Sequence, residues 1–215
     1  DDLEEHLRRY CDQNAPPDRI YVIASRTEQS LLQEAIKSEE FTNRLPAVTR
    51  QLKTPTVEPM FLGADGLTDA EKHCIHIRRI GMTHVFRARS ALLEATSAHH
   101  YVKPSERHCD KFLRTANALV DGAEIDFLAF CCLSQLPKEI RHIYCDTGAI
   151  SPIAYAIASL RKRIRPEEPW PTIDSFGSYE GMHKFQFREM EHSVVLLSAS
   201  TSGGLARGLM ELDPG

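Results

Sequence analysis

Apolar runs bounded by glycine- and proline-rich punctuation alternate along this chain with stretches of helical periodicity. Arg19-Ile20-Tyr21-Val22-Ile23-Ala24-Ser25 reads as a strand, followed by a helix-like stretch from Glu28 to about Phe41. Pro46, Pro55, Pro59, Gly63 and Gly66 then predict a loop. Thr68-Asp69-Ala70-Glu71 has capping-box spacing, in which hydroxyl and carboxylate each satisfy a backbone N–H of the other's end, so a helix is expected to begin there. Ile75, Ile77, Ile80, Val85, Phe86, Ala88, Leu92 and Leu93 continue its apolar stripe to about Ser97, with Gly81 a weak point. From Tyr101 to Asn117 the pattern is irregular and polar. Asp121 can then cap an apolar helix through Leu136.

The second half is more sharply punctuated. Ile140 to Cys145 predicts a short strand and Asp146-Thr147-Gly148-Ala149-Ile150 a turn. Ser151-Pro152 places an N-cap hydroxyl before a proline at the first helical position. That helix closes on Arg161-Lys162-Arg163, cations that favour a C-terminal helix dipole. After the breakers Pro166 to Pro171, strands are expected near residues 172–176 and 184–188. A third strand, Val194-Val195-Leu196-Leu197, runs into Ser198-Ala199-Ser200-Thr201-Ser202-Gly203-Gly204, and Leu205 to Leu212 has helical character. Strand, turn and helix in repetition argue for an α/β fold with an at least partly parallel sheet. Ligands of such sheets bind beyond the carboxyl ends of the strands, where the Asp146–Ser151 and Ser198–Gly204 loops both fall.

Composition narrows the classes. The chain has 215 residues, 42% of them apolar and 26% charged, which suits a soluble protein of one or two domains with a sizeable core. A net charge of −4 gives no support for a nucleic-acid partner. No apolar run reaches the roughly 18 residues of a spanning helix, and residues 1–20 do not read as a signal peptide. Six cysteines without a CxxC pair, several in apolar runs, read as buried reduced thiols and point to the cytoplasm. The chain starts at Asp1 and stops soon after Gly204, so both ends are expected to be cut from something longer.

The candidate chemistry concentrates at the sheet edge. In residues 198–204, hydroxyls and two glycines ahead of a helix make a neutral anion cradle, because glycine lets backbone N–H groups approach a ligand closely. Asp146, just past a strand, can orient a sugar hydroxyl or a metal-bound water; it can equally cap its own turn. His73 and His76 are three apart on a helix, with His99, His100, His108 and Cys109 nearby, but they lack the tight pairs of a structural zinc site, and no metal is assigned to them. Lys72, Arg78, Arg79, Arg87 and Arg89 crowd one helix and read first as a solvated face. Cys131-Cys132 lies within the apolar run Phe127–Leu133 and reads as core.

Four segments, in this order, resemble the type I phosphoribosyltransferases, nearest to the orotate phosphoribosyltransferase branch. Tyr101 to Phe112 resembles the early substrate-side segment, and Ile143 to Ala154 the pyrophosphate loop. Ser175-Phe176-Gly177-Ser178-Tyr179-Glu180-Gly181 occupies the place of the mobile catalytic loop, and Val194 to Leu205 is similar to the phosphoribosyl-pyrophosphate loop. The resemblance implies a three-layer α/β fold with a mainly parallel sheet flanked by helices. Its core would be residues 101–215, truncated at the C-terminus, with residues 1–100 an N-terminal extension or hood.

The resemblance also implies site residues: Ser198, Ala199, Ser200, Thr201, Ser202, Gly203 and Gly204 for the phosphoribosyl group; Asp146, Thr147, Gly148 and Ala149 for pyrophosphate; Lys103, Arg107 and Arg114 on the substrate side; and Mg as the metal that accompanies the ligand. The departures are specific. The family's two adjacent acids after the strand are Ser198 and Ala199 here, and Asp174–Gly181 contains no lysine or arginine for the leaving pyrophosphate. The expectation is a domain that binds a nucleotide or sugar phosphate with weak or no transfer activity, of a kind expected in bacterial conflict or stress systems. The alternatives are an active orotate-phosphoribosyltransferase-like enzyme with Asp146 as its acid, and a non-catalytic module that keeps the fold to bind a protein partner or a second copy.

Overall fold

The protein is described by a computed structural model covering residues 2–49, 54–63, 66–67, 71–96, 99–102, 108–177, 179–199 and 203–212. The chain forms two compact units, Asp1–Glu71 and Lys72–Gly215.

The first unit contains α1 (Asp2–Gln13), β1 (Arg19–Ser25), α2 (Gln29–Lys37), α3 (Glu39–Val48), β2 (Thr56–Gly63) and β3 (Gly66–Leu67). β1 and β2 pair in parallel from Arg19 opposite Thr56 to Ser25 opposite Leu62, and β3 returns antiparallel to β2. Leu7, Leu45 and Val48 form its core with Ile20, Phe41 and Val57. The single helix expected from Glu28 to Phe41 is divided at Ser38, whose backbone is extended. The Ser38 hydroxyl donates to the carbonyl of Ala35 and accepts from the N–H of Phe41, so it ends one helix and caps the next. The loop that Pro46, Pro55, Pro59, Gly63 and Gly66 predict is in part regular structure. α3 continues through Pro46, and Pro59 lies within β2. β2 is paired along its length on one side only, a setting that tolerates proline.

The second unit holds all but the first residue of α4 (Glu71–Ala88) and continues with β4 (Leu92–Glu94), β5 (Tyr101–Val102), β6 (His108–Cys109), β7 (Lys111–Leu113), α5 (Gly122–Leu133), β8 (His142–Cys145), α6 (Ser151–Ile164), β9 (Thr172–Ser175), α7 (Tyr179–Met182), β10 (Ser193–Leu196) and α8 (Gly204–Leu212). α4 and β4, grouped by sequence with residues 1–100, therefore belong here. α4 stops earlier than its apolar stripe predicted, because Ser90 takes a left-handed conformation (φ 51°) and Leu92–Glu94 pair with β7. The Thr68–Ala70 part of the capping box lies outside the described residues. Asp121 caps α5 as expected, accepting from the N–H groups of Ala123 (2.9 Å) and Glu124 (3.2 Å).

Three parallel strands in the order β10-β8-β9 organise this unit. Side chains alternate across the sheet. Ile143 and Cys145 pack with Ala129 of α5 and Ala154 and Ile157 of α6, joined by Val194 and Leu196. Tyr144 points the other way, into Phe176, Met182 and Leu209 of α8, joined by Val195 and Leu197. The chain is thus mixed α/β, with helices on both faces of its parallel sheet. Buried Arg161 fastens the α5–β8 connection through the carbonyls of Pro137 (3.0 Å) and Lys138 (2.6 Å) and pairs with Glu168 at 2.7 Å.

Two local expectations are corrected. Residues 184–188 form no strand. Phe185 and Phe187 instead set their rings edge-on to Tyr144, at 5.5 and 5.0 Å, while the Tyr144 hydroxyl accepts from the N–H of Arg188 (2.8 Å) and donates to its carbonyl (3.1 Å). An apolar-polar-apolar triplet imitates a strand when two aromatic rings need one anchor. Ser151 is the first residue of α6 rather than its N-cap; Ile150 holds that position and supplies no side-chain cap.

Candidate functional site

β8 and β10 lie side by side, and their C-terminal loops lead to helices on opposite faces of the sheet: β8 to α6, β10 to α8. Open α/β sheets take their ligands at such a switch point, since the diverging loops leave a crevice between them. The two loops singled out from sequence meet here. Asp146 extends the ladder by one bond, its N–H donating to the carbonyl of Leu196 at 3.1 Å.

The Asp146 side chain is buried, at 6% exposure. Its Oδ2 accepts from the backbone N–H of Ser198 at 3.0 Å and from the Ser198 hydroxyl at 2.7 Å. The Thr115 hydroxyl donates to the carbonyl of Ser198. Every polar group of Ser198 is therefore engaged, tying the exit of β10 to β8 and to the short 3-10 turn at Thr115–Ala118. Asp146 Oδ1 is buried without a hydrogen-bond partner. A buried carboxylate oxygen left this way is expensive in a folded protein, and such groups concentrate at functional sites.

Around this joint the described residues 147–149 are partly or fully exposed. Thr147 is half-buried, Gly148 and Ala149 are exposed, and a side chain at Gly148 would meet nothing within 4 Å. Ala199 is half-buried. Ser200, Thr201 and Ser202 of the cradle lie outside the described residues, as do Lys103 and Arg107. Gly203 has φ +68°, a conformation only glycine adopts freely, and Gly204 begins α8. Arg114 is exposed and immediately precedes Thr115.

The chain matches no family model, no curated protein and no solved structure.

Its chemistry must be read from its own residues. Sequence reasoning passed over two of them. Thr115 acts through Ser198 and carries no motif that would mark it. Arg207 folds back along the first turn of α8, its Nη1 3.4 Å from where a Cβ on Gly203 would stand. The signal for it is its spacing, four residues after Gly203, which puts it one helical turn from that glycine. The edge thus combines a cation at its rim, a buried acceptor at its base, and the first turn of α6, whose N–H groups have no side-chain cap.

The neighbouring thiol adds no nucleophile. Cys145 is fully buried, and burial pushes it up to about 11, so it is protonated at neutral pH. In the segment that occupies the place of the mobile loop, Ser175–Gly181, Phe176 is buried, as is Met182 just after it. Among the described residues no three His, Cys, Asp or Glu side chains converge as metal ligands. No helix among them is long and apolar enough to cross a membrane.

Proposed function

We propose that the second unit binds a phosphorylated sugar or nucleotide, of the phosphoribosyl-pyrophosphate type, at the carboxyl edge of β8 and β10, with weak or no transfer of the ribosyl group. The observation that carries this reading is the Asp146–Ser198 joint. It sits at the carboxyl edge where the chain leaves β8 and β10 for helices on opposite faces, and it holds one buried, unpartnered acceptor oxygen beside a glycine that leads into a helix. An anion suits the helix end and Arg207; a hydroxyl donor suits Oδ1. The neutral Ser198-Ala199 pair and the absence of lysine or arginine in residues 174–181 support binding without efficient transfer, because a departing pyrophosphate needs charge stabilisation.

The resemblance brings Mg with such a ligand. Mg commonly binds through one or two carboxylates plus the ligand's own phosphates, and Asp146, with its unpartnered oxygen, fits as the single protein carboxylate. When bound, the ion would neutralise phosphate charge; Asp146 would help hold it. A three-layer phosphoribosyltransferase-like fold, a cytoplasmic location and a role in bacterial conflict or stress belong to the same proposal.

Calorimetric titration with phosphoribosyl pyrophosphate, with and without Mg, tests the reading. Saturable heat that Asp146→Ala abolishes is expected. No heat and no thermal shift at millimolar ligand would remove it and leave the non-catalytic interaction module. Pyrophosphate release with a panel of bases tests the active-enzyme alternative, and sustained turnover would establish it.

A further inference from the structure

His100 and His108 are not spaced in sequence as a pair of metal ligands, but the hairpin of β5 and β6 brings their side chains together. The two strands are antiparallel, with Tyr101 opposite Cys109 and Val102 opposite His108. Side chains alternate between the faces of a strand pair. His100, two residues before Val102, therefore shares the face of His108 and stands diagonal to it, within reach of a long side chain. The ring centroids are 4.4 Å apart, with the planes tilted by 56°.

The same register divides the histidine and cysteine group noted in the sequence. Cys109 is half-buried opposite Tyr101, on the other face of the hairpin. His99 also alternates away from His100, and its Nδ1 lies 3.4 Å from the Thr96 hydroxyl. His100 and His108 are both exposed, and Val102 on their face is 61% exposed. Two exposed rings bury little apolar area against each other, so packing gives this contact only a weak cause. A shared ligand gives a stronger one.

Imidazole nitrogen is a favoured ligand of the late first-row divalent metals. Bonds of about 2.0–2.1 Å to one nitrogen of each ring put a zinc ion roughly 3.2 Å from each ring centre. Centroids 4.4 Å apart then subtend roughly 90° at that ion, close to the angles of four- to six-coordinate metals. We propose that His100 and His108 chelate a divalent ion of this series, zinc in the first instance, across the β5–β6 hairpin. Among the described residues no group of three His, Cys, Asp or Glu side chains converges, so water fills the remaining positions and the site is open. A two-stranded hairpin is marginal by itself, and an ion held by the residue before β5 and the first residue of β6 clasps it. Mg takes oxygen ligands, so this is a different ion from the one that would accompany a phosphorylated ligand at the sheet edge. The two readings share no residue, and either can fail alone.

Calorimetric titration of the whole, untagged chain with zinc chloride tests the pair. Saturable binding of one ion per chain is expected. His100→Gln and His108→Gln should each weaken it by about 100-fold, because the second imidazole acts at the high effective concentration set by the first. His99→Gln, on the opposite face, should leave it unchanged. Proton–nitrogen correlation spectra of the imidazole rings give a second readout that does not depend on any variant: two histidine rings should shift together with zinc and stay in place with Mg. The replaced side chains are exposed, and circular dichroism should show the fold intact. No saturable binding at submillimolar zinc overturns the proposal. So does zinc affinity that survives His100→Gln with His108→Gln, which would put the ion on other histidines or on thiols, and so does a loss in His99→Gln as large as in His108→Gln.

Discussion

Ser198 gives both its backbone N–H and its hydroxyl to one oxygen of Asp146, at 3.0 and 2.7 Å, so a strand end that lacks its own acid is held by the acid of its neighbour. Hydrogen bonds to a charged group contribute about 1.5–3 kcal/mol each when buried. Asp146→Ala removes two of them and leaves the Ser198 donors unsatisfied. It should lower unfolding stability by about 2–4 kcal/mol, read from the urea midpoint, while Asp146→Asn, which keeps one acceptor, should lose roughly half as much. Equal midpoints for wild type and alanine variant would mean the joint does not form in solution.

The same joint explains why an acid does not sit at position 198. A carboxylate there would face Asp146 at hydrogen-bond distance, and two like charges so close cannot both ionise cheaply. Ser198→Asp should therefore destabilise the protein by about 1–3 kcal/mol near neutral pH. Added Mg should recover part of that loss, because a cation between the carboxylates removes the repulsion. The check is a thermal melt with and without the metal, alongside wild type, which should gain little.

Gly203 combines φ +68° with a guanidinium 3.4 Å from the place of a Cβ. Alanine at a φ-positive site loses roughly 1 kcal/mol or more, and a β-branched residue is worse. Gly203→Ala should cost about 1–2 kcal/mol and Gly203→Val more, with phosphate-ligand affinity falling in the same order if Arg207 and the turn act together. Calorimetry on both variants separates the effects: a stable Gly203→Ala with unchanged affinity would show that the turn is not part of the site.

Gly81 sets two known effects against each other. Alanine is favoured over glycine in a helix interior by about 1 kcal/mol. In α4, however, a Cβ at Gly81 would stand 2.3 Å from Cζ of Phe127 on α5, and overpacking of this kind costs about 1–3 kcal/mol. Gly81→Ala should thus be net destabilising, and Gly81→Ala with Phe127→Leu should recover stability relative to either change alone. A stabilising Gly81→Ala would mean that the Phe127 ring moves aside freely.

What was legible in the sequence were the elements whose own residues define them. Asp121 capped α5, the apolar run at Ile140–Cys145 held β8, and Val194 led β10 into a glycine turn and α8. Elements that depend on distant partners were not legible. β2 exists because β1 pairs with it in spite of Pro55 and Pro59, and residues 185–187 are held out of a strand by Tyr144. The site divides the same way. Asp146 and the Ser198 loop stood out as residues just past strands. That they bind each other, that Thr115 completes the joint and that Arg207 folds over Gly203 are facts of tertiary placement that residue type alone does not carry.

Cys145 offers a test of that placement by pH. Buried at the end of β8, its thiol is pushed from 9.0 up to about 11, first by burial, with the neighbouring Asp146 charge adding to the rise and the Ser151 hydrogen bond opposing it. Between those values the unfolded chain releases the thiol proton while the folded chain keeps it. The folded state then binds more protons, so stability decreases as pH rises through this window and is unaffected by this group below it. Tyrosines and lysines titrate in the same range, so the informative quantity is the difference between wild type and Cys145→Ala. The alanine variant should be less stable at pH 8, because a core methyl replaces a packed thiol, and its deficit should shrink steadily from pH 9 to 11 as the wild-type contribution is lost. Urea unfolding at several pH values gives the two curves directly. A deficit that stays constant across the window would place the Cys145 thiol in contact with water, and would separate β8 from the helices that bury it.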